Sequence, residues 1–261
     1  MKNNNKDTHA KALYICLLKK CLLNLIYKDK PSLKIVETGA EYKVKTFDEE
    51  ARLNGKDIPS LAHTMIGIKR MDNIQYCIEN IIKEKVPGDL IETGVWRGGA
   101  TIFMRGILKA WGIADRKVWV ADSFEGLPMP DREKFPLDNE WNISHFNYLL
   151  SVSLEEVKRN FELYNLLDEQ VEFIKGWFKD SLPKAHIDKL AVLRLDGDFY
   201  ESTIDSLNCL YSKLSIGGYV IIDDYDFLPC KQAVTDFRNQ NHIDEEINAI
   251  DNNGVFWKRL N

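Results

Sequence analysis

From Pro87 onward the chain alternates short apolar runs with longer stretches whose apolar residues recur every three or four positions. The runs DLIETG (89–94), KVWVADS (117–123), VEFIKG (171–176), LAVLRLDGD (190–198) and YVIIDD (219–224) have the length and β-branched content of buried strands. Helical spacing falls before, between and after them. It predicts a helix over 66–85, where Met71, Ile74, Cys77, Ile78, Ile81 and Ile82 share one face, and another opening at Gly98-Gly99. A third, over 151–167, begins with Ser153 and Glu156 in a capping-box arrangement, and two more cover 201–214 and 229–240. Strand and helix in alternation mean βαβ units, hence an α/β fold with a mostly parallel sheet and helices on both faces. The segment 246–260 predicts a hairpin turning at Asn252-Asn253-Gly254, which adds antiparallel strands at one edge.

The first third of the chain reads differently. ALYICLLKKCLLNLIY (12–27) carries Leu18, Cys21, Leu22, Leu25 and Ile26 at helical spacing, which predicts an amphipathic helix docking on the body or on a second subunit. Lys19 and Lys20 divide its apolar residues into halves far shorter than the roughly 20 needed to span a bilayer, and no small-residue cleavage site follows. Residues 32–64 mix patterns, with turn signals at Asn54-Gly55 and Pro59, and read as a cap. The expected organisation is an N-terminal helical arm and cap over 1–65 and one α/β domain over 66–261. The connection after the second predicted strand is too long for an ordinary loop, and 124–151 is expected to be a lid.

Composition narrows the possible functions. A net charge of −5 removes the basic surface that nucleic-acid binding requires. Five cysteines, an odd number with no C-x-x-C pair, suit a reduced cytoplasmic chain better than a disulfide or zinc framework.

In open α/β sheets ligands bind at the carboxyl ends of the strands. Here those ends carry Glu92-Thr93-Gly94, Asp122-Ser123, Gly176-Trp177, Asp196 with Asp198, and Asp223-Asp224. The first turn is glycine-rich but lacks G-x-G-x-x-G, so it does not offer the stripped backbone a pyrophosphate needs. Glu92-x-Gly94 followed by Asp122 better suits a cofactor without phosphates, whose ribose diol an acid can accept and whose cationic centres tolerate acids. S-adenosylmethionine has these properties; the plain alternative is a tight turn with a capping acid. Trp96, Trp177 and Phe178 lie beside the same ends and can stack on adenine or face a sulfonium, or simply pack.

The acids pose a sharper question. Asp196, Asp223 and Asp224 end adjacent predicted strands, and their mutual repulsion would raise one pKa strongly unless compensated. A hard divalent cation such as Mg²⁺ provides that compensation through oxygen ligands, and no His or Cys accompanies the acids to suggest zinc. Asp198 points to the same end and can act as general base, with Gly197 keeping the turn between the two acids tight. Capping of the following helices is the alternative, and it accounts for one acid per strand.

The segments AHTMIGIKRMDNIQ, VPGDLIETGVWRGGATIFMRGIL, VWVADSFEGLP, GWFKDSLP, AVLRLDGDFYESTIDSL and GGYVIIDDYDFLPCKQAVTDFR closely resemble the macrocin O-methyltransferase family (TylF, MycF and NovP-like proteins) over roughly residues 12–258. The resemblance implies a class I, Rossmann-like methyltransferase that uses S-adenosylmethionine and Mg²⁺ to methylate a sugar hydroxyl of a glycosylated natural product or saccharide. By motif it places Asp196, Asp223 and Asp224 as metal ligands and Asp198 as base. Thr64, Met65, Glu92, Thr93, Gly94, Trp96, Asp122, Ser123, Trp177 and Phe178 fall in the cofactor pocket. It also implies a homodimer or higher homo-oligomer with the N-terminal helix at the contact. Two departures stand out: Ile58 occupies a place where the family usually shows Trp, and residues 129–151 match poorly, so the acceptor is not specified. The rival expectations are a nicotinamide-dependent sugar oxidoreductase and a non-catalytic binding protein derived from a methyltransferase.

Overall fold

A computed structural model describes residues 2–36, 39–42 and 46–261, with side chains over 8–34 and from 46 onward. Of the cap segment 32–64, residues 37, 38 and 43–45 lie outside the described residues. The N-terminal part consists of α1 (Lys2–Leu22), β1 (Pro31–Val36), β2 (Gly39–Tyr42), α2 (Glu49–Leu53) and β3 (Asp57–Pro59). The body follows with α3 (Gly67–Lys83), β4 (Asp89–Thr93), α4 (Gly99–Ala110), β5 (Val118–Asp122), α5 (Pro136–Glu140), α6 (Asn147–Leu150), α7 (Leu154–Leu163) and β6 (Val171–Lys175). It ends with α8 (Phe178–Ser181), β7 (Leu190–Leu195), α9 (Tyr200–Leu210), β8 (Leu214–Ile222), α10 (Leu228–Gln240), β9 (Asn248–Ala249) and β10 (Val255–Lys258).

The central sheet has the order β6-β5-β4-β7-β8-β10-β9. Its first five strands are parallel, and β10 runs antiparallel to both β8 and β9, as the expected edge hairpin requires. Both faces are covered, which explains why strands β4, β5 and β7 read as continuous rather than alternating apolar runs. Leu90, Val118, Val120 and Val192 pack with α1, α3, α4 and α7, while Ile91, Trp119, Leu193 and Leu195 pack against α9 and α10. One strand differs from expectation. β8 begins at Leu214, five residues before the predicted run, and its register on β7 jumps from Leu190↔Leu214 to Val192↔Tyr219. The predicted helix 201–214 therefore stops at Leu210, and a single 3₁₀ turn leads Leu214 into the sheet.

The expected helix 12–27 ends early, at Leu22. Asn24 adopts a left-handed conformation (φ 51), its N–H donating to the Cys21 carbonyl (3.0 Å) and that of Leu25 to the Lys20 carbonyl (2.9 Å). This is the hydrogen-bond pair of a Schellman cap, with Asn in the place glycine usually fills. The predicted face is shortened accordingly: Leu18 and Leu22 are buried, and Ile26 lies beyond the helix and is exposed. Docking of α1 on the body is direct, because a Cβ at Gly106 of α4 would come within 2.3 Å of Leu18 Cδ2.

Below α1 the small β2-β1-β3 sheet is fastened by an ion cluster. Arg52, fully buried, donates to the Asp57 carboxylate (2.9 and 3.0 Å), to Asp29 Oδ1 (2.8 Å) and to the Leu23 carbonyl (2.9 Å). Asp29 in turn accepts from the Leu61 N–H (2.7 Å) and the Ser60 hydroxyl (3.1 Å). One guanidinium thus joins the end of α1, the loop before β1, α2 and β3. Removing one member of such a buried set leaves the others charged and unsolvated, which costs far more than the intact cluster contributes. Arg52→Met is expected to lower unfolding free energy by about 3–5 kcal/mol in urea titrations at pH 7. A loss below about 1 kcal/mol, the scale of an exposed pair, would refute this reading of the cluster.

Candidate active site

The carboxyl ends of the parallel strands are held in register beyond the strands themselves. The Asp196 N–H donates to the Thr93 carbonyl (2.8 Å), Gly94 to Ala121 (2.9 Å), Gly176 to Asp122 (2.9 Å) and Asp223 to Leu195 (2.9 Å). Strand β4 is the point where the order turns, so the crevice above β4 and β7 is where a ligand is expected. A cavity of about 1130 Å³ opens there. Pockets for one small ligand commonly span about 300–1,000 Å³, so there is room for a cofactor and an acceptor together.

Every predicted site residue except Thr93 lines this cavity. Thr93 is buried and contributes its carbonyl to the Asp196 N–H. Gly94 is required by a close approach: a Cβ there would lie 1.6 Å from the Asp196 carbonyl oxygen, and its φ is +86. The glycine read as a cofactor contact therefore also lets the ends of β4 and β7 touch. Thr64 and Met65 reach the cavity because the Gly99 N–H at the start of α4 donates to the His63 carbonyl (2.9 Å). Asp122 accepts from the N–H groups of Val95 (2.7 Å) and Phe124 (2.8 Å), which ties the loops after β4 and β5 together at the place expected for a ribose. The Trp96 indole donates to the Leu149 carbonyl in the segment expected to be a lid (2.9 Å), and the Arg97 guanidinium covers its ring at 4.1 Å.

At the floor, one oxygen from each of Asp196, Asp223 and Asp224 lies within 4.8 Å of the others, an all-oxygen donor set of the kind Mg²⁺ prefers. Sequence reasoning left the repulsion among these acids to the metal alone. The structure supplies two guanidiniums first. Arg194, with no exposed surface, donates to Glu92, to Asp223 and to Asp196 Oδ2 (2.8 Å), and Arg70 donates to Asp223 and to Asp251 (2.9 Å). Both arginines stand in the sequence, and Arg194 carried a signal. It lies two residues before Asp196, on the same strand face, inside an otherwise apolar run; the structure adds that it is the register partner of Glu92. A charge in that position demands a buried partner.

Two guanidiniums do not neutralise Glu92, Asp196, Asp198, Asp223 and Asp224. Burial pushes Asp198 up to about 7, with Asp196 and Asp223 adding to the effect, and drives Asp224 well above the carboxylate range. Burial likewise raises Glu92 to about 8 against the pull of Arg194. Its Oε2 is buried without a hydrogen-bond partner, on the wall of the cavity. The site is thus prepared for added positive charge at two places, the aspartate floor and Glu92. The residues fit a divalent cation at the first and a cationic cofactor group at the second.

The turn carrying the proposed base also differs from expectation. Gly197 has an ordinary φ, and it is Asp198 that adopts the left-handed conformation (φ 55). Its N–H donates to Asp224 Oδ2 (3.1 Å), which compensates a conformation that non-glycine residues rarely hold. Gly197 is needed for space instead, since a Cβ would meet Ser202 Cβ at 3.0 Å and Phe178 Cε2 at 3.5 Å.

Comparison with known proteins agrees with this geometry. The family described as Macrocin-O-methyltransferase (TylF) matches residues 11–259. The chain is 52% identical over 249 residues, covering 95% of it and 93% of the relative, to the 8-demethyl-8-(2,3-dimethoxy-alpha-L-rhamnosyl)-tetracenomycin-C 4'-O-methyltransferase of Streptomyces olivaceus. It is 50% identical over 249 residues, 95% of this chain and 96% of the relative, to the Mycinamicin III 3''-O-methyltransferase of Micromonospora griseorubida. The solved structure of the O-methyltransferase NovP superposes with a TM-score of 0.90 at 51% identity, covering 96% of this chain and all of that one. A Rossmann-like sheet of this order, an acid-lined cleft at its switch point and a match that runs almost end to end lead to one conclusion: the chain belongs to the macrocin O-methyltransferase family and is an S-adenosylmethionine-dependent O-methyltransferase.

Proposed function

We propose that the chain methylates a sugar hydroxyl of a glycosylated natural product or saccharide, with Mg²⁺ held by Asp196, Asp223 and Asp224 and with Asp198 as general base. The observation that carries this reading is the floor of the cavity, where three carboxylates converge beside a fourth and two guanidiniums leave them short of neutral. The printed names of the two relatives, a rhamnosyl-tetracenomycin 4'-O-methyltransferase and a mycinamicin III 3''-O-methyltransferase, support a glycoside as acceptor. Bound Mg²⁺ would supply polarisation of an acceptor hydroxyl, lowering its pKa. Asp198 takes the proton, and its raised pKa near neutrality matches that task. Glu92, with its unpartnered Oε2, would hold a cationic group of the cofactor. Thr64, Met65, Gly94, Trp96, Asp122, Ser123, Trp177 and Phe178 form the rest of the cofactor wall, and Thr93 acts through its carbonyl. Positioning the oxygen against the methyl group provides most of the rate.

The nicotinamide rival lacks the glycines a pyrophosphate needs, and a scaffold would have no use for four converging aspartates. We place the enzyme in the cytoplasm; no helix among the described residues is long and apolar enough to cross a membrane. A homo-oligomer with α1 at its contact is supported by Leu13 and Leu17, which are 58% and 54% exposed on that helix.

Asp196→Asn is expected to abolish Mg²⁺-dependent turnover while leaving calorimetric S-adenosylmethionine affinity within about threefold, because uniform cofactor binding and metal-dependent chemistry are separable. Turnover that persists in excess EDTA would remove the metal from the mechanism. Asp198→Asn is expected to lower kcat by about 10²–10⁴-fold, the usual contribution of a general base. In the wild type the base must be deprotonated, so kcat/KM at limiting Mg²⁺ rises with pH through about 7. Saturating Mg²⁺ shifts that acid limb to lower pH, since a neighbouring cation favours the carboxylate. A limb that ignores Mg²⁺ would assign it to another group.

A further inference from the structure

Helix α9 starts two residues after Asp198, and its own sequence does not cap it: Phe199 stands at the N-cap position and is buried in the core. The missing acceptor comes from the lid. Asp138, on α5, takes the Tyr200 N–H at Oδ1 (2.6 Å) and the Glu201 N–H at Oδ2 (3.0 Å), across 62 and 63 residues of chain. Its side chain is 1% exposed although the lid around it is largely open to solvent. Burial pushes the Asp138 carboxyl above its ordinary pKa and the nearby Glu201 carboxylate adds to this, while the two backbone N–H groups favour the charged form. In this buried position the compensation for its charge is the positive end of one helix. Two ring contacts flank it, Phe135 with Tyr200 (centroids 5.8 Å apart) and Trp141 with Phe227 (5.2 Å).

We propose that Asp138 is a positioning residue that couples closure of the lid to placement of Asp198. With the lid down, the first two N–H groups of α9 have their acceptor and the tight turn Asp196–Tyr200 is held at both ends. One end is fixed by the Asp196 N–H on Thr93 and the Asp198 N–H on Asp224, the other by Asp138. With the lid up, two N–H groups of the first turn lose their acceptor and the left-handed Asp198 loses its downstream anchor. The base is therefore organised only in a cavity closed over its substrates, an arrangement that keeps a proton acceptor from working in open water. This proposal rests on the reading of Asp198 as base, though its structural half stands apart from that reading.

The test uses the full-length protein with Asp138→Ala and Asp138→Asn, read by amide hydrogen exchange and steady-state kinetics. In Asp138→Ala, exchange in peptides covering 196–204 is expected to rise roughly 5- to 30-fold, the effect of losing a helix cap. Cofactor affinity stays within about twofold while kcat falls by about 10- to 100-fold, the scale of a misplaced reacting group. Asp138→Asn keeps one acceptor and is expected to fall between the two, which also supplies the answer if the alanine variant does not fold. Faster exchange confined to lid peptides 129–150, with 196–204 unchanged, would overturn the coupling and leave Asp138 as a lid fastener. So would unchanged kcat in either variant. Activity retained by Asp198→Asn would instead overturn the base assignment, while the exchange data would still decide the coupling.

Discussion

One buried guanidinium sets the form of this site. Arg194 sits in the middle of the sheet with no exposed surface, and its donors reach Glu92 on the neighbouring strand, Asp196 two residues on, and Asp223 at the end of β8. Desolvating a charge of this size costs several kcal/mol even after relaxation, so the arginine is tolerable only with its carboxylates, and they only with it. Three adjacent strand ends are thereby compelled to converge. The Gly94 and Asp196 backbones meet at a distance that excludes even a Cβ, and Asp223 is gripped from its other side by Arg70. The arrangement need not be a net source of stability. It specifies where the acids point, and that is the requirement of a site that must present them together.

The same guanidinium spans Glu92 on the cavity wall and the aspartates of its floor. Glu92 and the two aspartates share it, so charge added at one end changes what the other end needs. Arg70, paired with Asp223 and with Asp251 in the loop of the edge hairpin, extends this link to the far side of the sheet. The edge strands thus brace an aspartate of the floor besides closing the sheet.

What the sequence made legible follows from which interactions are local. Strands β4, β5 and β7 announced themselves because burial on both faces leaves continuous apolar runs, and Ser153 marked the start of α7 because capping acts over three residues. The acids were visible as an anomaly for the same reason. Their compensation was not, because pairing Arg194 with Glu92 requires knowing that residues 102 apart are register partners. The turn at 196–198 shows a subtler failure. Glycine is the default for a left-handed position, yet here Asp198 takes it, its N–H donating to Asp224 just beyond the end of β8. Likewise α1 ends at an Asn-capped Schellman turn that an apolar period alone runs straight through.

Several departures from local rules share a location. A left-handed aspartate, unneutralised carboxylates and an unpartnered Glu92 oxygen all line the cavity. The buried faces of α3 and α4, by contrast, follow their helical period. A protein fold tolerates strain of about 1–3 kcal/mol at a residue only where surrounding structure over-determines it. Here that surrounding structure is the rigid parallel sheet below and the lid above. The sheet can hold Asp196 and Asp223 by itself, through strand register. Asp198 lies two residues beyond the Asp196–Thr93 hydrogen bond and donates its N–H to Asp224, and in the coupling proposed above the lid completes its frame.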